Sequence, residues 1–152
     1  MQKPSFFDKI KVQSKNLFIA NEELEMFEKF TKLLAIGVFT DGEISKVELE
    51  KSKQIIDKEI DEFEQSYIYT KLLLKLEEYE QASWLYQKDQ NNMINYIMKE
   101  KNWHYANFLS MIIKTNKQVS NEGQDILESL KPLLERRSHN KQMLKKKRRF
   151  DD

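Results

Sequence analysis

Residues that reverse a chain are scarce here: 152 positions hold three Gly and two Pro. So few breaks leave long uninterrupted segments, which favours an all-helical fold. The one Asp-Gly step, Asp41-Gly42, therefore carries unusual weight. Upstream lies Leu33-Leu34-Ala35-Ile36-Gly37-Val38-Phe39, an apolar run of the kind found on a deeply buried helix. Asp-Gly breaks that run, because Gly takes a positive φ without Cβ strain and Asp tolerates the same region. Ser45 then reads as the N-cap of a second helix, with Glu48 three residues later to close a capping box. The stretch is helix, tight acidic turn, helix.

The same reading extends along the chain. Ser5 caps a short amphipathic segment with Phe6, Phe7 and Ile10 on its apolar side. Asn21 caps a helix whose stripe is Leu24, Phe27, Phe30 or Thr31, Leu34 and Val38. Further helices are expected over 45–63, over 66–86 with a break near Gln81, over 89–99, from an Asn102 cap to Ile113, and from Ser120 to about Leu134. Pro132 should end or kink the last one. That makes about seven helices in one domain, over 21–135, preceded by an amphipathic segment (1–20) and followed by a basic tail (136–152).

A shift of 75 residues brings up a second copy of the central turn. Thr40-Asp41-Gly42-Glu43-Ile44-Ser45 aligns with Thr115-Asn116-Lys117-Gln118-Val119-Ser120, and Leu33-Leu34 aligns with Phe108-Leu109. The pattern implies two helical hairpins packed with pseudo-twofold symmetry. In the second copy Asp41 is replaced by Asn116 and Glu43 by Gln118, swaps that keep shape and remove charge. Glu48 falls on Gly123.

The motif Asp41-Gly42-Glu43-Ile44-Ser45-x-x-Glu48, following an apolar helix, resembles the signature turn of the tellurite-resistance TerB family. The opening Ser5-Phe6-Phe7-Asp8-Lys9-Ile10-Lys11 and the spacing of Met93, Tyr96, Ile97, Ala106 and Ile113 are similar too, so the resemblance runs loosely over 5–134. It implies an all-helical bacterial fold built from two such halves, typically with an Asp-Gly turn in each. It also implies a non-enzymatic part in tellurite resistance or stress response. An acidic face would contact cations or partner proteins, among them an integral membrane protein of the TerC family. The altered second turn departs from that pattern, which puts a paired, two-turn metal site in doubt.

Read from its own residues, the central turn has two meanings. Asp41, Glu43 and Glu48 offer the oxygen donors that calcium or magnesium require. The front half of an EF-hand loop is missing, since Gly37 and Phe39 stand where carboxylates belong. Equally, Asp41-Gly42 is a turn and Glu48 a capping residue, with no metal at all. The acidic runs Glu48, Glu50, Glu59, Asp61, Glu62, Glu64 and Glu77, Glu78, Glu80 read either as solvated faces or as a cation- or partner-binding surface.

Other chemistry is thin. Cysteine is absent, and His104 and His139 have no companion at ligand spacing, so neither a zinc centre nor a Cys or Ser-His-Asp nucleophile is expected. No enzyme is expected. The N-terminus lacks an apolar signal region and no run approaches ~18 apolar residues, so the protein is expected in the cytoplasm. Net charge is +1, but residues 131–152 carry nine Lys/Arg against three acids while the rest is net −5. The stretch Lys145-Lys146-Lys147-Arg148-Arg149-Phe150 admits a solvated tail, attachment to the anionic inner-membrane surface, or, less favoured, contact with nucleic-acid phosphates. The last lacks interleaved aromatics. A metal-independent interaction adaptor, possible for a phage- or plasmid-borne protein, would instead expose aromatics among Phe6, Phe7, Trp84, Tyr86 and Trp103.

Overall fold

The computed structural model describes the backbone of residues 17–150 and the side chains of residues 22–135. Six helices and no strand occur among the described residues: α1 Leu17–Val38, α2 Lys46–Glu59, α3 Glu62–Gln81, α4 Ser83–Glu100, α5 Trp103–Ile113 and α6 Asn121–Phe150. The amphipathic segment expected from Ser5, with Phe6, Phe7 and Ile10, lies outside them.

The centre is α1. Leu33, Leu34, Ala35, Ile36 and Val38 are all fully buried, although they point around the whole circumference of the helix. A helix apolar on every side must be enclosed. Accordingly α1 packs most heavily on α3 and α5, and also against α2 and α4. From α3 come Ile68, Leu72 and Leu76; from α5, Ala106, Leu109, Ile112 and Ile113. Ile126 and Leu130 of α6 close the core over α5.

The approach of α1 to α5 is close because of one residue. A Cβ placed on Gly37 would lie 2.9 Å from Cγ2 of Ile112 and 3.1 Å from its Cδ1. These two residues are 75 apart, the offset of the sequence repeat. Gly37 is thus a packing residue, whereas Gly42 (φ 81°) is a turn residue with open space around it.

Several boundaries differ from the sequence reading, each for a local reason. Asn21 lies inside α1, which starts at Leu17, rather than at its N-cap position. The helix expected over 45–63 stops at Glu59, where Ile60 is extended (φ −112°, ψ 139°). Gln65 secures that stop: its side-chain amide donates to the carbonyls of Ile60 (2.9 Å) and Asp57 (3.1 Å), which the helix end leaves unpaired. Phe63 consequently belongs to α3, where it is 43% exposed. The break near Gln81 is present at Ala82, but the helix after it begins at Ser83 and absorbs the short helix expected over 89–99. Pro132 does not end α6, which runs on past residue 136 to Phe150. Pro132 and Glu128, the residue whose carbonyl loses its partner, are both exposed, on the solvent side of the helix.

The Asn102 and Ser120 caps are as the sequence indicates. Asn102 Oδ1 accepts from the Tyr105 N–H at 3.1 Å, and Ser120 Oγ from the Gly123 N–H at 3.1 Å. Just before the first of these, Lys101 ends α4 in the left-handed region (φ 52°, ψ 42°), which costs a side-chain-bearing residue about 1 kcal/mol.

Two substitutions test this packing by thermal or urea unfolding. Gly37→Ala should lower stability by about 1–3 kcal/mol, since Ile112 must shift to admit the methyl group. Lys101→Gly should raise it by roughly 0.5–1 kcal/mol by removing the left-handed strain.

Candidate functional site

The two repeat turns lie against each other. In the first, Phe39 N–H still bonds Ala35 O (3.0 Å), Gly42 N–H bonds Phe39 O (2.9 Å), and the buried Thr40 hydroxyl donates to Gly37 O (2.8 Å). In the second, Lys114 N–H bonds Ser110 O (2.9 Å) and the Thr115 hydroxyl donates to Met111 O (2.7 Å). Thr40 and Thr115 are again 75 apart, and so are the two serine caps, Ser45 and Ser120. The local chemistry of the copies is the same: a threonine folded back on its helix, then a serine starting the next.

Between the turns the carboxamide of Asn116 makes the link. Its Nδ2 donates to Asp41 Oδ2 at 3.0 Å and also to Glu48 Oε1. Each N–H of the amide group is thereby used, one per carboxyl. Both oxygens contact one nitrogen, which places them within about 6 Å of each other. Asp41 is exposed, Asn116 half-buried, and Glu48 only 1% exposed.

Glu48 does not do what a capping-box residue does. Its backbone N–H is capped by Ser45 Oγ at 3.5 Å, but its carboxyl turns inward to Asn116 rather than back to Ser45. Glu48 Oε2 is buried without a hydrogen-bond partner, as are Ser52 Oγ, one turn further along α2, and the hydroxyl of Tyr86. Burial pushes the Glu48 carboxyl up to about 8; the charge of Asp41 adds to this and the Thr40 hydroxyl opposes it. Tyr86 is also pushed up, by burial first and then by Glu122, Asp41 and Glu48, which puts its hydroxyl in the field of the same carboxylates.

Aromatic packing holds Tyr86 there. Phe39, Tyr79 and Tyr86 form a triangle with ring centroids 5.7 Å (Phe39–Tyr79), 5.2 Å (Phe39–Tyr86) and 5.4 Å (Tyr79–Tyr86) apart. Tyr79 is anchored in turn, donating to Asp89 Oδ2 at 2.8 Å, and Lys75 Nζ stands 3.3 Å from the same oxygen. Gln87 Nε2 reaches across to Glu122 Oε1 at 2.8 Å and ties α4 to the start of α6.

Of the residues singled out from sequence, Asp41 and Glu48 are brought together and Glu43 is not. Glu43 is exposed on the turn, and no cluster of three His, Cys, Asp or Glu side chains suited to a metal occurs among the described residues. Asn116, Tyr86 and Ser52 were not among the expected site residues. The 75-residue repeat carried a signal for Asn116, since it aligns with Asp41; Tyr86 was named only as a candidate exposed aromatic, and nothing in the sequence pointed to Ser52. Glu50, Glu59, Asp61, Glu62, Glu77, Glu78 and Glu80 are exposed, while Glu64 is buried. His104 is exposed. Trp84 is 67% exposed, Trp103 half-buried and Tyr86 buried. The side chains of Lys145, Lys146, Lys147, Arg148, Arg149, Phe150 and His139 lie outside those described. No described helix is long and apolar enough to cross a membrane.

A carboxyl raised by folding makes stability depend on pH with a definite sign. The folded chain holds the Glu48 proton more tightly than the unfolded one, whose value is near 4.5. That stabilisation is complete below about 4.5 and is lost as pH rises through about 8. Thermal midpoints measured in chelator should therefore fall between pH 6 and pH 9, and Glu48→Gln, which copies the protonated form, should flatten the fall. An equal fall in the variant would remove Glu48 as its source.

No protein-family model matches the chain, and comparison with curated proteins and with solved structures finds no match.

Proposed function

We propose that this chain is a non-enzymatic helical binding protein similar to the TerB family, whose joined turns take up a divalent cation and couple it to partner binding in a bacterial tellurite or stress response. The observation that carries the cation reading is the Glu48 carboxyl, buried with one oxygen unpartnered beside Asp41. Leaving such an oxygen dry is costly, and a bound cation is one way to recover the cost. All the donors are oxygens, which suits calcium, magnesium or manganese. Asp41 would be the outer ligand and Glu48 the inner one. Glu43, although exposed, is two residues from Asp41 and could reach a cation only by a change in the turn. The basic stretch Lys145–Phe150 supports a place at the anionic inner-membrane surface, where each basic residue is worth ~1 kcal/mol and a TerC-like membrane protein would be a partner.

One observation favours a second reading, a metal-independent adaptor. The Asn116 amide already bonds both carboxyls, so the turns are joined without any ion. The exposed apolar side chains Trp84, Leu74 and Leu73 would then serve partner binding.

Thermal melts separate the two. A cation at 100 times its dissociation constant adds about 2.7 kcal/mol, or several degrees. Millimolar calcium, magnesium or manganese should raise the wild-type midpoint by that much, and Asp41→Asn should abolish the gain. If none of the three moves the wild type, the adaptor reading replaces the cation reading.

A further inference from the structure

We infer that Asn116 is a built-in stand-in for the cation: its NH2 group occupies the place between Asp41 and Glu48, and loading requires the carboxamide to turn over and offer Oδ1 as a third oxygen ligand. The inference rests on the cation reading and adds a ligand and a competitor to it.

The argument begins with the two hydrogen bonds. One nitrogen carries partial positive charge into the gap between two carboxyls and satisfies an oxygen of each, Asp41 Oδ2 and Glu48 Oε1. A cation bridging those oxygens would meet two N–H groups pointing at it, an electrostatic conflict. A half-turn about the Cβ–Cγ bond removes the conflict at little steric cost, because the two ends of a carboxamide are nearly equal in size and opposite in polarity. The oxygen then lies where the nitrogen was, beside the same two carboxyls. Two further features fit a polar centre there rather than a plain turn contact. Glu48 is 1% exposed and keeps an unpartnered oxygen in this cluster, and the unpartnered Tyr86 hydroxyl lies in the field of Asp41 and Glu48.

The backbone favours the switch. Asn116 sits in the turn between α5 and α6, outside either helix, while Asp41 and Glu48 are held by the opposite turn and by α2. The side chain can reorient without breaking a helix. The site therefore trades one set of contacts for another: two amide hydrogen bonds in the cation-free protein, three oxygen ligands in the loaded one. An aspartate at this position would lack the first set and strengthen the second.

Two measurements on the full chain test this. In 1H–15N spectra, the Asn116 side-chain NH2 pair should shift and lose protection from solvent exchange as calcium or magnesium is added to saturation. By calorimetric titration, Asn116→Asp should bind the same cation at least tenfold more tightly than wild type, and in chelator it should melt below both wild type and Asn116→Ala. Saturable binding with the Asn116 NH2 signals unmoved, or with affinity unchanged in Asn116→Asp, would overturn the inference and leave the cation reading standing. Binding of calcium, magnesium and manganese by neither protein would overturn both. If Asn116→Asp fails to fold in chelator, the wild-type spectra decide alone.

Discussion

The enclosure of α1 is the constraint from which the rest of the molecule follows. Its apolar C-terminal stretch, Leu33 to Val38, has no solvent-facing side, so helices must cover it all round, and α5 can come near enough only because position 37 lacks a Cβ. That approach fixes more than the core. The chain leaves both α1 and α5 through a turn, and once these helices touch at Gly37 and Ile112 their turns are neighbours as well. Packing of Gly37 on Ile112 thus sets the distance between Asp41 and Asn116. Apolar burial supplies the positioning, at roughly 1.5–3 kcal/mol for each large side chain enclosed.

How much of this could be read from the sequence depends on which interactions are local. The central turn, the Ser45, Asn102 and Ser120 caps and the break near Gln81 were all legible, because each is decided within four or five residues. The stop at Glu59 was not. It depends on a side chain beyond the break, Gln65, reaching back to two carbonyls, while the Lys/Glu-rich pattern ran on without interruption. Pro132 does not end its helix, and both it and Glu128, four residues earlier, are exposed. Asn21 resembles a cap because Asn is a favoured N-cap residue and two acids, Glu22 and Glu23, follow it, yet the helix begins four residues earlier, at Leu17.

The candidate site was legible in half. Asp41 and Glu48 stand out as acids around a turn, but the fold determines which acids meet. Glu43, between them in sequence, points to solvent, since a tight turn that places residue 41 toward α5 carries residue 43 away. Glu48 looked like a capping residue and has the right spacing for one. Its carboxyl instead turned to a partner 68 residues away, which local pattern cannot reveal. The repeat alignment came nearest, because it pairs Asp41 with Asn116, and these two side chains are hydrogen-bonded between the turns.

That geometry gives the change from aspartate-type to asparagine-type turn its physical meaning. Two carboxylates within about 6 Å of each other repel by at least roughly 3 kcal/mol at an effective dielectric of 20, before the cost of burying one of them. Three means of relief exist: a proton, a hydrogen-bond donor or a cation. The structure offers the first two: burial favours the protonated form of the Glu48 carboxyl, and Asn116 supplies both N–H groups. A turn with aspartate in both copies would have neither the donor nor the lower charge, and would depend on a cation to close. Replacing one acid by its amide frees the fold from that dependence while leaving an oxygen on the same side chain. On the cation proposal the site would have two closed forms, the amide-held one seen here and an ion-held one, exchanged by rotation about a single bond.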